Sequence, residues 1–222
     1  MYKFNFEPVI AGLDKLLYGA VLTIQLSVAA MILGLIVSIV CAAAKTSNVA
    51  PLRWVINAYI EIIRNTPFLV QIFFIFFGLP SLGLRLTPNG AALLALVINF
   101  GAYGTEIIRA GIESIQKGQM EAGTALGLSK LQIFRYIVMK PALRTVYPSL
   151  TSQFIYLMLT SSVVSAISAD DLAAAGNDLQ SATFASFEVY IVVTLIYLAM
   201  SVGFSLIFSA IEKAAFKYPL SR

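Results

Sequence analysis

Long apolar stretches without charged residues dominate the pattern of hydrophobic and polar positions along this chain. Five of them reach the length that a membrane-spanning helix needs, about 20 residues. Their charged boundaries are Lys15 and Lys45, Arg64 and Arg85, Arg85 and Glu106, Arg144 and Asp170, and Glu188 and Glu212. The runs are continuous rather than alternating, which favours helices over the strands of a membrane barrel. The pattern therefore predicts an all-α membrane protein with five transmembrane helices.

The second and third stretches each offer only twenty uncharged residues. Their helices are expected to extend past a charge, the second back towards Tyr59 and the third on towards Ile112. Pro67 follows Thr66 near the beginning of the second stretch. A proline in an apolar helix requires neighbours that satisfy the backbone groups it frees. The favoured interpretation of Pro67 is a kink where the helix begins.

The composition agrees with a chain solvated largely by lipid. Of its 222 residues, 59% are hydrophobic and 12% are charged, far from the balance of a soluble domain. The absence of histidine excludes histidine metal sites, catalytic triads and histidine proton relays. The single cysteine, Cys41, lies in an apolar run, so no disulfide can form within one chain. The amino terminus lacks the pattern of a cleaved signal, so the first span is expected to be retained.

The fifteen basic residues predict the orientation, because cytoplasmic loops of membrane proteins are rich in lysine and arginine. With the N-terminus outside and the C-terminus cytoplasmic, three basic residues are external: Lys3, Lys15 and Arg85. The other twelve are cytoplasmic: Lys45, Arg53, Arg64, Arg109, Lys117, Lys130, Arg135, Lys140, Arg144, Lys213, Lys217 and Arg222. The net charge of +4 therefore reflects topology rather than nucleic-acid binding. Residues 170–188 are external, acidic and polar, and are expected to fold back along the membrane surface.

The segment 103–148 is the longest that cannot lie in a bilayer, and its connecting loop covers about residues 113–147. Residues 121–127 predict a short helix that ends on a glycine turn. Residues 131–139 predict a second, amphipathic helix that Pro141 ends. Such a cytoplasmic segment is typical of a docking element between spans rather than of a passive connector.

Polar side chains form a seam within the apolar stretches. Asn99, Tyr103 and Glu106 recur at helical spacing in the third span and share one face. The fourth span carries a second polar face, made of Gln153, Tyr156 and Thr160 with Ser161, Ser162 and Ser165 beside them. Such a seam can line a cavity for a small polar solute, or it can hold the helices together by hydrogen bonds. Spacing alone favours neither interpretation.

No constellation for catalysis emerges from the sequence. Glu106 and Arg109 share a helix face, and a pair at this spacing is more often structural than a proton carrier. Residues 42–46 end in Lys-Thr but lack the glycines of a phosphate-binding loop. Paired carboxylates, a thiol–base pair and a metal cluster are missing from the sequence as well. The chain is therefore expected not to hydrolyse ATP, and neither a cofactor nor a metal site is predicted.

The charged segment and its flanks carry an ordered set of motifs. The first is Glu121-Ala122-Gly123, followed by Gly127 and, after nine further residues, Ile137. The others are residues 63–71, 102–112, 118–122 and 187–190. Together they closely resemble the EAA-loop permeases of bacterial ABC importers, in the branch that carries polar amino acids. The resemblance covers essentially the whole chain as one permease domain, 1–222, and implies five spans with an external N-terminus.

The resemblance also implies a mechanism. Residues 118–129 would form a coupling helix that docks on a cytoplasmic ABC ATPase dimer through Gly118, Gln119, Glu121, Ala122, Gly127 and Ser129. ATP-driven closure of that dimer would rock this chain against a second permease subunit, identical or different, within the bacterial cytoplasmic membrane. An extracytoplasmic amino-acid-binding protein would deliver the solute. The implied solute path follows Thr66, Asn99, Tyr103, Gln153, Tyr156, Thr160, Ser161 and Ser162.

Three departures from the family's pattern change this expectation. Gly123, the third position of the EAA signature, weakens helix propensity by up to about 1 kcal/mol relative to alanine. The proline that usually closes the loop is displaced by one place, to Pro141, with Lys140 in its stead. Leu159 and Thr160 stand where many relatives have lysine followed by an acidic residue. The missing acid implies a neutral or acidic solute, or a partner permease that provides the principal site.

Two other functions are alternatives to the importer. A secondary transporter that uses Glu106 for protons would work without an ATPase, but five spans without an inverted repeat and a docking segment count against it. In a purely structural membrane scaffold, the polar seam would only hold the helices together. The importer is the favoured function.

Overall fold

The computed structural model describes residues 4–46 and 49–216, and within those ranges every regular element is helical. In chain order the helices are α1 (Glu7–Ala11), α2 (Leu13–Lys45), α3 (Ala50–Arg64), α4 (Phe68–Leu82), α5 (Pro88–Glu113), α6 (Lys117–Ala125), α7 (Lys130–Ile167), α8 (Leu172–Thr183) and α9 (Ser186–Ala215). Among the described residues, α2, α5, α7 and α9 are long and apolar enough to cross a membrane. The bent pair α3–α4 brings the number of spans to five if the pair is counted as one span.

These helices agree with the five predicted apolar stretches, and α5 extends past Ile112 as expected. Three residues of the predicted charge bias, Lys3, Lys217 and Arg222, lie outside the described residues.

The second span is not one helix extending back to Tyr59, so that prediction is wrong. α3 and α4 meet at an angle of 111° instead. Pro67 has an extended conformation (φ −64°, ψ 138°) and stands directly before α4. A proline offers no N–H to the preceding turn and disfavours a helical residue before it, which here is Thr66. The predicted kink is therefore where α4 begins, but it is a complete break between two helices.

Pro141 does not end a helix, which is a second correction. α7 begins after Ser129, whose backbone N donates to Gln132 Oε1 at 2.8 Å in a capping box. A π-helical turn, Phe134–Val138, precedes the proline, and the helix then continues through it. A widened turn accommodates a residue that has no N–H, since the regular hydrogen-bond pattern is already shifted there. Residues 131–139 are therefore the first part of the fourth span rather than a separate helix.

α5 is the central helix and packs against α2, α3, α4 and α7. Small residues bring α2 and α5 close together: a Cβ built on Gly104 would lie 2.2 Å from Ser38 Oγ. The same hydroxyl donates to the carbonyl oxygens of Gly34 at 2.7 Å and Gly101 at 3.1 Å. Small and hydrogen-bonding residues are what hold helices together in lipid. Phe100 lies beside this contact and belongs to the main buried cluster, which also includes Ala30, Ile72, Ala92, Leu96, Leu157 and Val164.

The polar segment predicted at 170–188 contains α8, which packs against the first half of α2. Leu172 N donates to Thr23 Oγ1 at 3.0 Å. The approach depends on Gly19, since a Cβ there would lie 2.9 Å from the backbone oxygen of Asp171. α8 is therefore a packed element near the beginning of α2, whereas α6 lies beyond the last turn of α5.

Candidate docking segment and solute path

The short helix α6 lies outside the candidate spans and carries the EAA residues. It is closed by Gly127, whose φ of +75° is in the left-handed region that favours glycine. Leu128 N donates to the carbonyl oxygen of Gly123 at 3.1 Å, as in a Schellman turn. The structure thus has the predicted short helix and glycine turn, with the helix beginning at Lys117 rather than at Glu121.

All six expected docking residues are exposed: Gly118, Gln119, Glu121, Ala122, Gly127 and Ser129. Sequence reasoning did not single out two leucines beside the glycine turn, Leu126 and Leu131, which are 80% and 75% exposed. Large apolar side chains exposed next to a polar helix are typical of an interaction surface. Their position on either side of Gly127 is the signal that identifies them.

The inner side of α6 packs on the ends of α5 and α7. Met120 and Ile133 join a buried cluster formed by Ile115, Val138 and Ala142. A Cβ built on Gly123 would lie 2.6 Å from Ile137 Cδ1, so glycine brings α6 closer to α7 than a side chain would. This contact gives a physical reason for the departure from alanine. α6 and the ends of two spans therefore form one packed unit.

Ion pairs connect the ends of α2 and α5. Lys45 Nζ lies 2.5 Å from Glu106 Oε1, and Arg109 Nη2 lies 2.8 Å from Glu106 Oε2. Arg109 also pairs with Glu113. Both carboxylate oxygens of Glu106 have cationic partners, which agrees with the structural interpretation of the Glu106–Arg109 pair. Lys45 was not foreseen as a partner, because it comes from a different span.

The predicted polar seam separates into three groups, and the first lies at the break between α3 and α4. Asn99, 6% exposed, donates through Nδ2 to Gln71 Oε1 at 3.2 Å. Gln71 Nε2 donates in turn to Thr66 Oγ1 at 2.9 Å. Sequence reasoning did not select Gln71, although an amide four residues after Pro67 in an apolar helix is the kind of residue that membranes tolerate only with partners.

The second group lines an open cleft of about 430 Å³ between α3, α5 and α7. Tyr103 and Gln153 lie on it together with Arg64 and Glu106. The Arg64 guanidinium is 5.4 Å from the centre of the Tyr103 ring, a cation–π distance. Gln153 Nε2 is buried and has no hydrogen-bond partner among the described residues. A neighbouring cleft of about 550 Å³ shares Gln153 and adds Tyr156. A cation, an aromatic ring and an amide therefore lie together on these clefts, and groups of this kind can bind a small polar molecule.

The remaining predicted path residues, Thr160, Ser161 and Ser162, line neither cleft. They lie where α7 passes into 3-10 turns, Ser161–Ile167. Ser161 and Ser162 donate their hydroxyl protons to backbone oxygens of their own helix at 2.7 and 2.8 Å. Thr160 is half-buried at the same transition.

Several permease proteins match nearly the whole chain. The L-cystine transport system permease protein TcyB of Bacillus subtilis (strain 168) is 34% identical over 96% of this chain and 89% of its own length. The glutamine transport system permease protein GlnP of Escherichia coli (strain K12) is 33% identical over 95% of this chain and 97% of its own length.

The solved structures that match this chain are also ABC transporters. An amino acid ABC transporter crystallised with histidines has a TM-score of 0.90 and 34% identity, and the match covers 96% of this chain and 100% of that chain. An inward-facing MetNI methionine ABC transporter has the same fold, with a TM-score of 0.76 at 18% identity, over 94% of this chain and 98% of that chain. The family described as binding-protein-dependent transport system inner membrane component matches residues 18–217. The chain therefore belongs to that family of inner-membrane components, the multi-pass permeases of ABC transporters.

Proposed function

We propose that this chain is the permease subunit of an ATP-driven importer for polar amino acids that a binding protein delivers. The observation that carries the proposal is α6, which is exposed on one side and packed on the ends of α5 and α7 on the other. A coupling helix needs both properties: an accessible face for an ATPase and a firm contact with the spans that move. The family assignment favours this function over a proton-coupled secondary transporter.

The proposed ATPase is a separate cytoplasmic dimer that receives α6 in a groove. Glu121 would face basic or polar groups of that groove, and Gly127 permits the turn that returns the chain to α7. The exposed Leu126 and Leu131 would supply apolar contacts. A second permease subunit and an extracytoplasmic amino-acid-binding protein complete the proposed assembly.

The proposed orientation has the N-terminus outside and α6 in the cytoplasm. The bias of twelve basic residues to three supports it. Contacts within the fold agree, since Lys45 at the end of α2 meets Glu106 near the end of α5. The ring of Tyr147 in α7 packs edge-on against Phe216 at 5.5 Å, just after the end of α9. These contacts are consistent with one end of the bundle that is rich in basic residues.

In the proposed mechanism, closure of the ATPase dimer displaces α6, and α6 displaces the spans it packs on. The close contact between Gly123 and Ile137 would carry the motion to α7. The Lys45–Glu106 pair would extend it from α5 to α2. Packed interiors transmit such displacements because they deform little. Rocking against the second permease would then expose the solute path to each side in turn.

The proposed solute is a polar amino acid, by analogy with the relatives that transport L-cystine and glutamine. The proposed path comprises Thr66, Asn99, Tyr103, Gln153, Tyr156, Thr160, Ser161 and Ser162. Arg64 places a cation on the cleft that Tyr103 and Gln153 line. Because Thr160 replaces the acid found in many relatives, we propose a neutral or acidic amino acid, unless the partner permease provides the principal site.

The docking proposal is tested by combining Glu121→Lys with Gly127→Asp. The first change reverses an exposed charge, and the second adds a charge and a side chain at a left-handed turn. We expect the amount of co-purified ATPase to fall by about ten-fold or more. Solute-stimulated ATP hydrolysis of the reconstituted complex, measured with candidate binding proteins, should fall with it.

The matched control is Arg53→Glu, a charge reversal on an exposed residue of α3. It should leave ATPase assembly unchanged. If the double variant inserts, assembles and couples like the wild type, α6 is not the docking element. Stimulation by cationic amino acids alone would contradict the proposed solute class and leave the docking proposal standing.

A further inference from the structure

The break between α3 and α4 leaves backbone oxygens without their helical partners. Each such group needs another hydrogen-bond donor wherever the fold shields it from water. The oxygen of Glu61 keeps its helical partner, the Asn65 N–H, at 3.1 Å. A local side chain satisfies the next oxygen, since Thr66 Oγ1 donates to Ile62 O at 2.7 Å. The oxygens of Ile63 and Thr66 are satisfied from the other helix of the pair.

Gln71, in the first turn of α4, provides that donor. Its Nε2 lies 2.7 Å from Ile63 O, 3.0 Å from Thr66 O and 2.9 Å from Thr66 Oγ1. The side chain is 8% exposed, so these bonds are formed largely out of contact with solvent. One carboxamide therefore joins the end of α3 to the beginning of α4 across the 111° bend.

The other end of the same carboxamide is bound to the central helix. Gln71 Oε1 accepts from Asn99 Nδ2 at 3.2 Å, and both residues are buried. Two further contacts attach α3 to neighbouring turns of α5: Tyr59 OH donates to Ile98 O at 2.6 Å, and Arg64 lies over the Tyr103 ring. Gln71 differs from the other two contacts with α5 because its side chain also joins α3 to α4.

We infer that Gln71 is a positioning residue for transport. Its carboxamide fixes the bent pair α3–α4 on α5 and so sets the place of Arg64 over Tyr103 in the cleft that Gln153 completes. Gln71 does not line that cleft itself. It acts through the helices that do, so its loss should raise the concentration of solute-loaded binding protein that half-saturates ATP hydrolysis. This inference rests on the proposed function only for its transport readout.

The test compares Gln71→Met with Ile72→Met in the full chain. Methionine at 71 keeps an unbranched side chain of similar length but removes every hydrogen bond of the amide. Ile72 is the adjacent buried residue, so its change to methionine controls for general disturbance of packing. Backbone hydrogen exchange is measured by mass spectrometry on peptides that cover residues 62–71, which requires no solute and no ATPase. We expect faster exchange in Gln71→Met and unchanged exchange in Ile72→Met.

Transport is then measured as solute-stimulated ATP hydrolysis of the complex with its ATPase and binding protein. Gln71→Met should raise the half-saturating concentration of the solute-loaded binding protein by about ten-fold, with little change in the maximal rate. Unchanged exchange, equal effects of both variants, or altered exchange with unchanged half-saturation would each overturn the inference. If the wild-type complex shows no solute stimulation, the proposed function fails, and the exchange measurement still decides whether Gln71 holds the bend.

A double-variant cycle with Asn99→Leu separates the two ends of the carboxamide. If the Gln71–Asn99 bond positions the helices, the double variant Gln71→Met with Asn99→Leu should have a half-saturating concentration no higher than that of the more severe single variant. Strictly additive effects on half-saturation would show that the two residues act independently, and would contradict the inference.

Discussion

At the scale of single residues, Asp171 is a carboxyl group that folding removes almost completely from water, with 1% of its surface exposed. It caps α8, accepting from Ala174 N at 2.7 Å, and it accepts from the Tyr197 hydroxyl at 3.3 Å. Burial outweighs these hydrogen bonds and raises the pKa of Asp171 to about 6. A carboxyl group whose pKa is raised on folding contributes stability below its unfolded pKa. That contribution is lost as the pH rises through the folded pKa.

The change Asp171→Asn tests this balance, because asparagine keeps an oxygen that can cap α8 but carries no charge. Relative to the variant, the wild type should lose about 2 kcal/mol of stability as the pH rises from about 4 to about 7. The measurement is the thermal unfolding midpoint of the purified chain across that range. Asp178→Asn, an exposed change on the same helix, should leave the wild-type pH profile unaltered. Parallel profiles for the wild type and Asp171→Asn would contradict the prediction.

At the scale of helices, the sequence predicts well what local chemistry determines. The five apolar stretches follow from charge-free length, and the turn after α6 follows from a glycine at a position whose backbone conformation favours glycine. A kink at Pro67 was predicted, but its extent was not, because the geometry of the complete break depends on Gln71 and Asn99, which are 28 residues apart in sequence. The passage of α7 through Pro141 was missed because a π-helical turn leaves no local pattern. The predicted polar seam is divided in the structure because contacts with other helices decide which of its residues meet.

The packing of α8 on α2 gives a prediction at this scale. Alanine at Gly19 would bring its Cβ within 2.9 Å of the Asp171 backbone oxygen and 3.0 Å of Leu172 Cα, and backbone cannot yield cheaply. We expect Gly19→Ala to lower the free energy of unfolding by about 1–3 kcal/mol. Gly203→Ala is the matched control, since a Cβ at that helical glycine meets nothing within 4 Å. Thermal unfolding of both variants checks the prediction, and equal midpoints would show that α8 adapts without cost.

At the scale of the whole molecule, α2 connects the two ends of the bundle. Its first half holds α8 through Gly19 and Thr23, and its last residue, Lys45, pairs with Glu106 on α5. α5 in turn packs at its end on the cluster that supports α6. A displacement of α6 therefore has a continuous packed route to the opposite end, where the proposed binding protein would dock. The Lys45–Glu106 pair is the charged link in that route.

Changing this pair distinguishes an ATP-driven importer from a proton-coupled transporter. Glu106→Gln leaves Lys45 and Arg109 without their shared carboxylate, so we expect a loss of about 1–2 kcal/mol of stability, with import reduced but present. Lys45→Met combined with Glu106→Gln removes the unpaired cation and should restore part of the lost stability. Import is measured in proteoliposomes that contain ATP and the ATPase, with and without a protonophore. If the Lys45–Glu106 pair is structural, the protonophore should not reduce import by either variant. Complete loss of import by folded, fully assembled Glu106→Gln, together with protonophore-sensitive import by the wild type, would instead make Glu106 the proton carrier.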